Sequence, residues 1–199
     1  MSKDSDPSLY ESKYERTTLD RYWTDPWITR ALLQHHPLGF FVWEPAAGRG
    51  DMSNVLLATG RNVVATDLDP SEYDAQDNVC KKLDFLHGPT QDHGWIDAIV
   101  TNPPFGKDAQ KFVERALEYD VMTVAMLLRS EFRSGKTRRH LFGDCPMYAG
   151  EIVLTTRPLW DWWFRDKPEA SPRHNFSWFV WDMRYLNKIP YQRFHYKEK

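Results

Sequence analysis

Hydrophobic positions along the chain alternate between a helical spacing and short continuous runs. After Thr24 or Asp25, either of which can cap a helix, positions 28, 31, 32 and 35 fall on one helix face. The glycine turn at 44–50 leads into a second helical stretch at 51–59, and Asp108 is expected to cap a third helix. Buried strands are predicted at 40–43, 62–66, 95–101, 121–128, 151–155 and 176–181. This alternation predicts an α/β fold with a largely parallel central sheet.

The composition fits a single domain. The chain has 199 residues, 41% of them hydrophobic, which is enough to bury one sizeable core. We divide it into a polar N-terminal arm at 1–21, a main domain at 22–182 and a C-terminal tail at 183–199. Cys80 and Cys145 form no CxxC motif and the seven histidines lack ligand spacing, so neither a disulfide nor a bound metal is expected.

Other features bear on the location of the protein. No apolar run approaches the roughly 20 residues that a membrane-spanning helix needs. The first residues are polar and carry both signs of charge, unlike a secretory signal. We therefore expect a soluble, cytoplasmic protein with no membrane partner.

The turn between residues 44 and 50 is the first candidate binding loop. Gly48 and Gly50 follow a predicted strand and precede a predicted helix, a context in which the backbone can approach a ligand closely. The dinucleotide pattern GxGxxG would need a further glycine at Ser53. Asp67 ends the next strand about 20 residues later, where a carboxylate can accept hydrogen bonds from both hydroxyls of a ribose. A nucleoside-containing cofactor is implied, although the glycines are also compatible with an ordinary tight turn, and Asp69 can shape its own turn.

The tetrapeptide Asn102-Pro103-Pro104-Phe105 follows a buried strand and is the most specific feature of the sequence. Two consecutive prolines stop the sheet ladder and hold the loop extended. The Asn102 amide oxygen and the Pro103 carbonyl can then accept the two hydrogens of a conjugated amine and direct its lone pair at an electrophile. Phe105 can stack on a planar acceptor.

These motifs resemble, in type and order, those of the class I S-adenosylmethionine-dependent methyltransferases. The resemblance is strongest to the adenine-N6 DNA methyltransferase group, which carries an Asn/Asp-Pro-Pro-aromatic tetrapeptide after its fourth strand, and it covers roughly residues 22–182. It implies a Rossmann-like fold with a mostly parallel seven-stranded sheet and helices on both faces. It also implies S-adenosyl-L-methionine as the cofactor and a catalytic role for the domain at 22–182.

The resemblance assigns roles to individual residues. The catalytic residues would be Asn102, Pro103, Pro104 and Phe105. The glycine loop would line the methionine end of the cofactor, Asp67 would hold the ribose, and Asp84 with Phe85 would contact the adenine. The full set of implied cofactor-binding residues is Trp23, Thr24, Glu44, Ala46, Gly48, Gly50, Asp67, Leu68, Asp84, Phe85 and Asn102.

Basic and aromatic residues in the last third of the chain suggest the acceptor. Lys and Arg total 26 against 28 Asp and Glu, so the net charge of -2 gives no global attraction to phosphates, and any affinity must be local. The candidate substrate-binding residues are Arg129, Arg133, Lys136, Arg138, Arg139, Trp160, Trp162 and Trp163. A solvated basic loop, and a tryptophan lid or oligomer contact, are the competing interpretations.

The favoured function is methylation of the adenine N6 amine in nucleic acid, DNA before RNA. Few residues remain after 182 for a recognition domain, so we expect weak sequence specificity, and a target in duplex DNA would have to be flipped out. A protein glutamine amide or a small-molecule amine is the nearest alternative acceptor. A nucleotide-dependent oxidoreductase and a non-catalytic nucleotide-binding module are the alternatives of other classes.

Overall fold

The computed structural model describes residues 23–75, 78–88, 94–158, 160 and 174–197. Three α-helices lie in these ranges: α1 (Pro26–His35), α2 (Asp51–Ala58) and α3 (Asp108–Leu117). The strands are β1 (Phe41–Glu44), β2 (Asn62–Asp67), β3 (Cys80–Lys82), β4 (Ala98–Thr101), β5 (Thr123–Arg129), β6 (Tyr148–Leu154), β7 (Phe176–Asp182) and β8 (Tyr191–His195). Among the described helices, none is long and apolar enough to cross a membrane.

All eight strands form one sheet in the order β3-β2-β1-β4-β5-β7-β6-β8. The strands from β3 to β5 run parallel, β7 is antiparallel to β5 and β6, and β8 is parallel to β6. The chain moves outward from β1 to β2 and β3, then returns to place β4 on the other side of β1. This reversal of strand order opens a crevice beyond the carboxyl ends of β1 and β4, which is where α/β sheets bind ligands.

Helices cover both faces of the sheet, as the resemblance implied. Val42 faces the core that contains Leu32 of α1 and Leu56 of α2. The next residue, Trp43, faces the opposite core, which contains Phe112 of α3. Successive side chains of a strand point to opposite faces, so each central strand contributes to both cores. Two apolar layers of this kind fix the positions of the loops that follow β1, β2 and β4.

Within the described residues the sheet has eight strands, compared with the seven expected. The prediction missed β3 and β8 because neither contains an apolar run; β3 has two exposed lysines and β8 only alternates between half-buried and exposed positions. β8 lies within the segment that sequence reasoning assigned to a tail. It is attached by main-chain pairing to β6 and by a hydrogen bond of 2.9 Å between the Tyr191 hydroxyl and His36 Nδ1.

Two predicted boundaries were wrong for identifiable reasons. The fourth strand begins at Ala98, not at residue 95, because the Asp97 carboxylate accepts hydrogen bonds from the backbone N–H groups of Phe40 and Phe41 and Trp95 is exposed. Asp108 is the first residue of α3 rather than its cap. Lys107 occupies the cap position without a side-chain hydrogen bond, and Asp108 pairs with Lys111 at 2.8 Å.

Candidate active site

A cavity of about 220 Å³ lies beyond the carboxyl ends of β1, β2 and β4. Most of the residues that the sequence assigned to a cofactor line it, namely Trp23, Thr24, Glu44, Ala46, Gly48, Asp67, Leu68, Asp84, Phe85 and Asn102. The wall also includes residues that were not assigned, among them Arg49, Asp51, Met52, Asp108 and Phe112. The strand order therefore gathers residues from Trp23 to Phe112 around one space.

The glycine loop is held against the end of β2 by Asp67. One carboxylate oxygen accepts a hydrogen bond of 2.8 Å from the Gly48 N–H, and the other accepts one of 2.9 Å from the Asp69 N–H. Gly48 has φ +52°, a left-handed conformation that glycine adopts at little cost. Asp67 thus braces the loop and also lines the cavity, beside the half-exposed side chain of Leu68.

Gly50 has a conformational role that differs from the one assigned to it. It precedes α2 with φ +89°, and a Cβ at this position would lie 2.9 Å from the Tyr73 ring and 3.0 Å from the Ala75 methyl group. Gly50 is not part of the cavity wall. The close packing of Tyr73 therefore requires glycine here.

Glu44 ends β1 and is buried, with an exposed fraction of 2%. Burial raises the pKa of its carboxyl group to about 8, against the opposing effect of a hydrogen bond from the Ser53 hydroxyl. The nearby carboxylates of Asp51 and Asp67 raise this pKa further. At neutral pH Glu44 is therefore mostly protonated, and the floor of the cavity carries less negative charge than its sequence suggests.

Asp84 and Phe85 form another part of the wall, in the turn after β3. Asp84 accepts hydrogen bonds of 3.0 Å from the backbone N–H groups of Leu86 and His87, and these bonds keep the pKa of its carboxyl group below the usual value. Phe85 is buried and packs edge-on against Trp43, with ring centroids 5.2 Å apart. Asp84 and Phe85 therefore present a fixed hydrogen-bond acceptor beside an aromatic surface.

Asn102 follows β4 and lines the same cavity. Its Nδ2 donates a hydrogen bond of 3.1 Å to the hydroxyl of Thr24, which is itself buried beside Asp25, the cap of α1. This bond connects the amide to the segment that begins α1. The sequence assigned Thr24 to the cofactor, and the structure adds a direct contact with the catalytic candidate.

The rest of the tetrapeptide is divided between the cavity and a separate aromatic cluster. Pro104 lines the cavity, whereas Pro103 and Phe105 do not. The Phe105 ring packs against Trp160 at 5.8 Å and against Phe176 at 5.2 Å between centroids. This places Phe105 and Trp160 together at the carboxyl end of the sheet. Trp162 and Trp163 lie outside the described residues.

The five basic residues proposed to bind the substrate do not form one exposed positive patch. Arg133 pairs at 2.9 Å with the buried carboxylate of Glu151, and Arg139 pairs at 2.9 Å with Asp144. Arg138 donates to the Phe132 carbonyl, and its guanidinium lies 4.1 Å from the centroid of the Phe132 ring. None of the five candidates lines the cavity. Arg129 and Lys136 are exposed and form no ion pair among the described residues.

Arg49, within the glycine loop, was not assigned by sequence reasoning although its position in the loop was visible. Its Nη2 lies 2.8 Å from Asp51 Oδ1 and its Nε lies 3.2 Å from Asp51 Oδ2. The guanidinium carbon stands 4.3 Å from the centroid of the Trp23 ring. All three side chains line the cavity. Within the described ranges, no group of three or more His, Cys, Asp or Glu side chains is arranged to hold a metal ion.

The sequence matches no protein-family model and no curated protein. Solved structures do resemble the fold. A chain of the E. cuniculi Mtq2–Trm112 complex, responsible for methylation of the eRF1 translation termination factor, is 18% identical with a TM-score of 0.55, covering 82% of this chain and 99% of that chain. A proposed RNA methyltransferase from Pyrococcus horikoshii is 18% identical with a TM-score of 0.52, covering 85% and 90%.

A third similar structure, a proposed hemolysin from Lactococcus lactis, is 13% identical with a TM-score of 0.56, covering 88% of this chain and 94% of that one. At these identities the likeness concerns the fold, because one fold serves many functions. The chain has the Rossmann-like α/β fold of the class I methyltransferases, with a sheet of eight strands.

Proposed function

We propose that the protein is an S-adenosylmethionine-dependent methyltransferase that acts on the amino nitrogen of a planar, conjugated acceptor, with adenine in nucleic acid preferred. The observation that carries this proposal is the presence of Asn102 in the same cavity as the glycine loop, Asp67 and Asp84. An amide aligned at the end of β4 beside a nucleoside-sized site brings acceptor and cofactor together.

The residues present fit such a cofactor by their chemistry. Asp67 offers carboxylate oxygens to ribose hydroxyls, and Asp84 offers an acceptor to an adenine amine next to the Phe85 ring. Leu68 is half-exposed at the rim and can cover the apolar face of the base. The ionised carboxylates in the wall favour a cofactor with positive charge; they belong to Asp51, Asp67, Asp84 and Asp108.

When bound, the cofactor would supply a methyl group on a sulfonium, and its transfer to the acceptor nitrogen would leave a neutral thioether and a proton for solvent to accept. The chain contributes alignment. The Asn102 amide is held by the hydrogen bond from its Nδ2 to Thr24, and its oxygen is the atom that would accept a hydrogen bond from an acceptor amine. Holding the acceptor amine in line with the methyl group can supply most of the rate enhancement, because the translational and rotational freedom has already been lost on binding.

Amides and adenine share a planar NH₂ group, so the residues around the tetrapeptide have to distinguish these two acceptors. Phe105, Trp160 and Phe176 provide an aromatic cluster next to the tetrapeptide, which suits a base better than an aliphatic side chain. Exposed Arg129 at the end of β5 supplies positive charge on this side of the sheet. A protein glutamine amide is the second candidate, since Asn102 would align it in the same way.

The test uses the purified chain with methyl-labelled S-adenosylmethionine and separate DNA, RNA and protein substrates. We expect label on adenine in one nucleic acid, and its loss in Asn102→Ala while the affinity for S-adenosylmethionine changes by less than about tenfold. Label on glutamine instead would replace the preferred acceptor with the second candidate. Absence of any stabilisation by S-adenosylmethionine, with stabilisation by NADH, would refute the methyltransferase assignment.

A further inference from the structure

Strand β8 lies at the edge of the sheet, and its two faces have different surroundings. The Tyr191 hydroxyl bonds to His36, the residue after α1, and the His195 ring stacks on the Trp27 ring of the same helix with centroids 5.9 Å apart. These odd-numbered side chains therefore face α1. Because successive side chains of a strand point to opposite faces, the even-numbered side chains of β8 face away from this helix.

Aromatic side chains occupy the outer face of β8 and of the residue that follows it. Phe194 is 50% exposed, and Tyr196, one residue beyond the strand, is 73% exposed. The His195 carbonyl accepts a hydrogen bond of 3.1 Å from the Thr155 N–H, so main-chain contact with the β6 side holds the chain up to this point. Exposed apolar side chains on an edge strand are typical of association with another molecule. We call Phe194 and Tyr196 the β8 platform.

The β8 platform lies at the same end of the sheet as the cavity. β8 is parallel to β6, and β6 and β5 are both antiparallel to β7, so the carboxyl ends of β4, β5, β6 and β8 share one edge. Lys197, next to the platform, has its Nζ 3.8 Å from an Asp25 carboxylate oxygen. Asp25 in turn follows Thr24, the residue bonded to Asn102. The end of β8 is thus connected to the segment that holds the candidate catalytic amide.

The strand order sets the distance between the platform and the acceptor site. Three strands, β5, β7 and β6, lie between β4, which precedes Asn102, and β8. Four strand spacings amount to about 19 Å across the sheet. The platform is therefore placed for nucleotides that flank a target base, and not for the target base itself.

Cations follow the strand ends along this edge. Arg129 ends β5, Arg157 follows β6 and Lys197 follows β8, and all three are exposed. A row of positive charge from β5 to β8 is complementary to the phosphates of a polynucleotide that leads away from the acceptor site.

The carboxylates near the platform do not cancel this attraction. Glu151 lies on the β6 residue paired with Gln192, and its buried carboxylate is neutralised by Arg133 at 2.9 Å. Glu131 lies just beyond β5, and one of its carboxylate oxygens is 3.8 Å from a His174 ring nitrogen. The outer face of β8 therefore combines exposed aromatic rings with a positive margin, as surfaces that bind single-stranded nucleic acid do.

We propose that the β8 platform binds unpaired nucleotides flanking the target base, with Phe194 and Tyr196 stacking on bases and the cations at the strand ends contacting phosphates. A paired base is already stacked within its duplex, so the platform selects a single strand. Stacking tolerates every base because each has an aromatic face, which agrees with weak sequence specificity. The inference rests on the proposed function, because it takes the substrate to be a nucleic acid.

The test measures binding and needs no methyl transfer. The first probe is a fluorescent single strand of about 12 nucleotides with one adenine and with thymine elsewhere, and its affinity is measured by fluorescence anisotropy. The second probe keeps every phosphate and the adenine but has abasic sites elsewhere. The third is the first strand paired with its complement. Each is made as DNA and as RNA, with uracil in place of thymine, and the form that the wild-type chain binds more tightly is used for the variants.

The test variant replaces both platform residues, Phe194→Ala with Tyr196→Ala. The matched control is Phe40→Ala with Trp95→Ala, since these aromatic side chains are 55% and 80% exposed and precede β1 and β4 at the opposite end of the sheet. Tyr196→Trp keeps an aromatic ring and should retain the affinity for the first probe. All four replaced side chains are at least half exposed, so the midpoints of urea unfolding should stay close to that of the wild-type chain.

The double platform variant should bind the first probe about 10- to 100-fold more weakly, because each missing ring removes one stacked base. Its affinities for the abasic strand and for the duplex should change by less than about threefold, because neither offers an unpaired flanking base. The control variant should bind all three probes as the wild-type chain does. Both variants should be stabilised by S-adenosylmethionine to the same extent as the wild-type chain.

Unchanged affinity of the platform variant for the first probe would overturn the inference. An equal loss for the first probe and the abasic strand would also overturn it, because the rings would then act without stacking. A wild-type dimer in sedimentation that becomes a monomer in the platform variant, with unchanged nucleic-acid affinity, would assign the surface to a second copy of the chain. If the wild-type chain binds no nucleic acid, the proposed acceptor fails and the inference fails with it. That result is distinguishable, because in the other cases the wild-type chain binds the probes.

Discussion

The hydroxyl of Thr24 accepts a hydrogen bond from the side-chain nitrogen of Asn102 at 3.1 Å, across 78 positions of sequence. Thr24 is buried, and its neighbour Asp25 caps α1 by accepting a hydrogen bond from the Trp27 N–H. The start of α1 therefore holds the amide that follows β4 in place. An amide rotated by half a turn would present donors where an acceptor is needed.

Thr24→Val should remove this control while keeping the shape of the side chain. We expect kcat for methyl transfer to fall by about tenfold, with the Kd for S-adenosylmethionine changed by less than about threefold. Thr24→Ser retains the hydroxyl and should restore most of kcat. A parallel loss of cofactor affinity in Thr24→Val would instead support the direct cofactor role that the sequence suggested.

Local sequence was sufficient to locate Asn102 and Asp67 because strand ends and proline pairs are encoded within a few residues. A buried run that stops at two prolines has few other interpretations, and the polar residue before them must lie at the carboxyl edge of the sheet. The alternation of strands and helices followed from the spacing of apolar residues in the same way. These features depend on neighbours in the sequence.

Contacts between distant segments could not be obtained in this way. Phe105 was expected to stack on the acceptor, but its ring packs against Trp160, which lies between β6 and β7, and against Phe176, the first residue of β7. Arg133 was grouped with the basic residues next to it in the sequence. Its partner Glu151 lies on β6, and the local sequence does not indicate that contact. A short edge strand such as β8 exists only because β6 offers it a partner, so its own residues carry little signal.

Gly50→Ala should destabilise the protein beyond the cost of its backbone conformation. A side chain at φ +89° is strained, and its Cβ would also meet Tyr73 at 2.9 Å. Gly60→Ala is the matched control, since Gly60 has φ +81° with nothing within 4 Å of the added atom. We expect the free energy of unfolding in urea to fall by about 1 kcal/mol for Gly60→Ala and by about 2 to 3 kcal/mol for Gly50→Ala. Equal losses would show that Tyr73 moves aside without cost.

Glu44 should make the free energy of unfolding depend on pH. Burial raises the pKa of Glu44 from 4.5 to about 8, so between these values the folded chain holds a proton that the unfolded chain has lost. A carboxyl group of this kind contributes stability that is fully present below its unfolded pKa and is lost as pH rises through its folded pKa. Stability should therefore decline from about pH 4.5 to about pH 8.

Glu44→Gln removes that titration and can keep the hydrogen bond with the Ser53 hydroxyl. Urea unfolding at several pH values should show the wild-type chain losing stability relative to Glu44→Gln as pH rises. Glu118→Gln, an exposed carboxylate on the end of α3, serves as the control and should follow the wild-type profile. Parallel profiles for wild type and Glu44→Gln would contradict the raised pKa.

The basic residues at the end of β5 and just after it should differ in how much they stabilise the fold. Arg133 neutralises Glu151, whose side chain is 3% exposed, so Arg133→Ala leaves a buried carboxylate without its cation. We expect this variant to lose about 2 kcal/mol of unfolding free energy. Arg129 and Lys136 are exposed and have no ion pair within the described ranges, so replacing both with alanine should change stability by less than about 0.5 kcal/mol.

Nucleic-acid affinity should depend on Arg129 and Lys136 rather than on Arg133. If Arg129 and Lys136 contact phosphates, their double alanine variant should bind DNA or RNA more weakly and reduce the slope of log affinity against log salt by about 2, one for each lost contact. Arg133→Ala should leave the slope near its wild-type value, because its guanidinium is occupied by Glu151. A slope unchanged in the double variant would remove this segment from the nucleic-acid surface. The acceptor would then have to be recognised through the aromatic cluster of Phe105, Trp160 and Phe176, where stacking needs no phosphate contact.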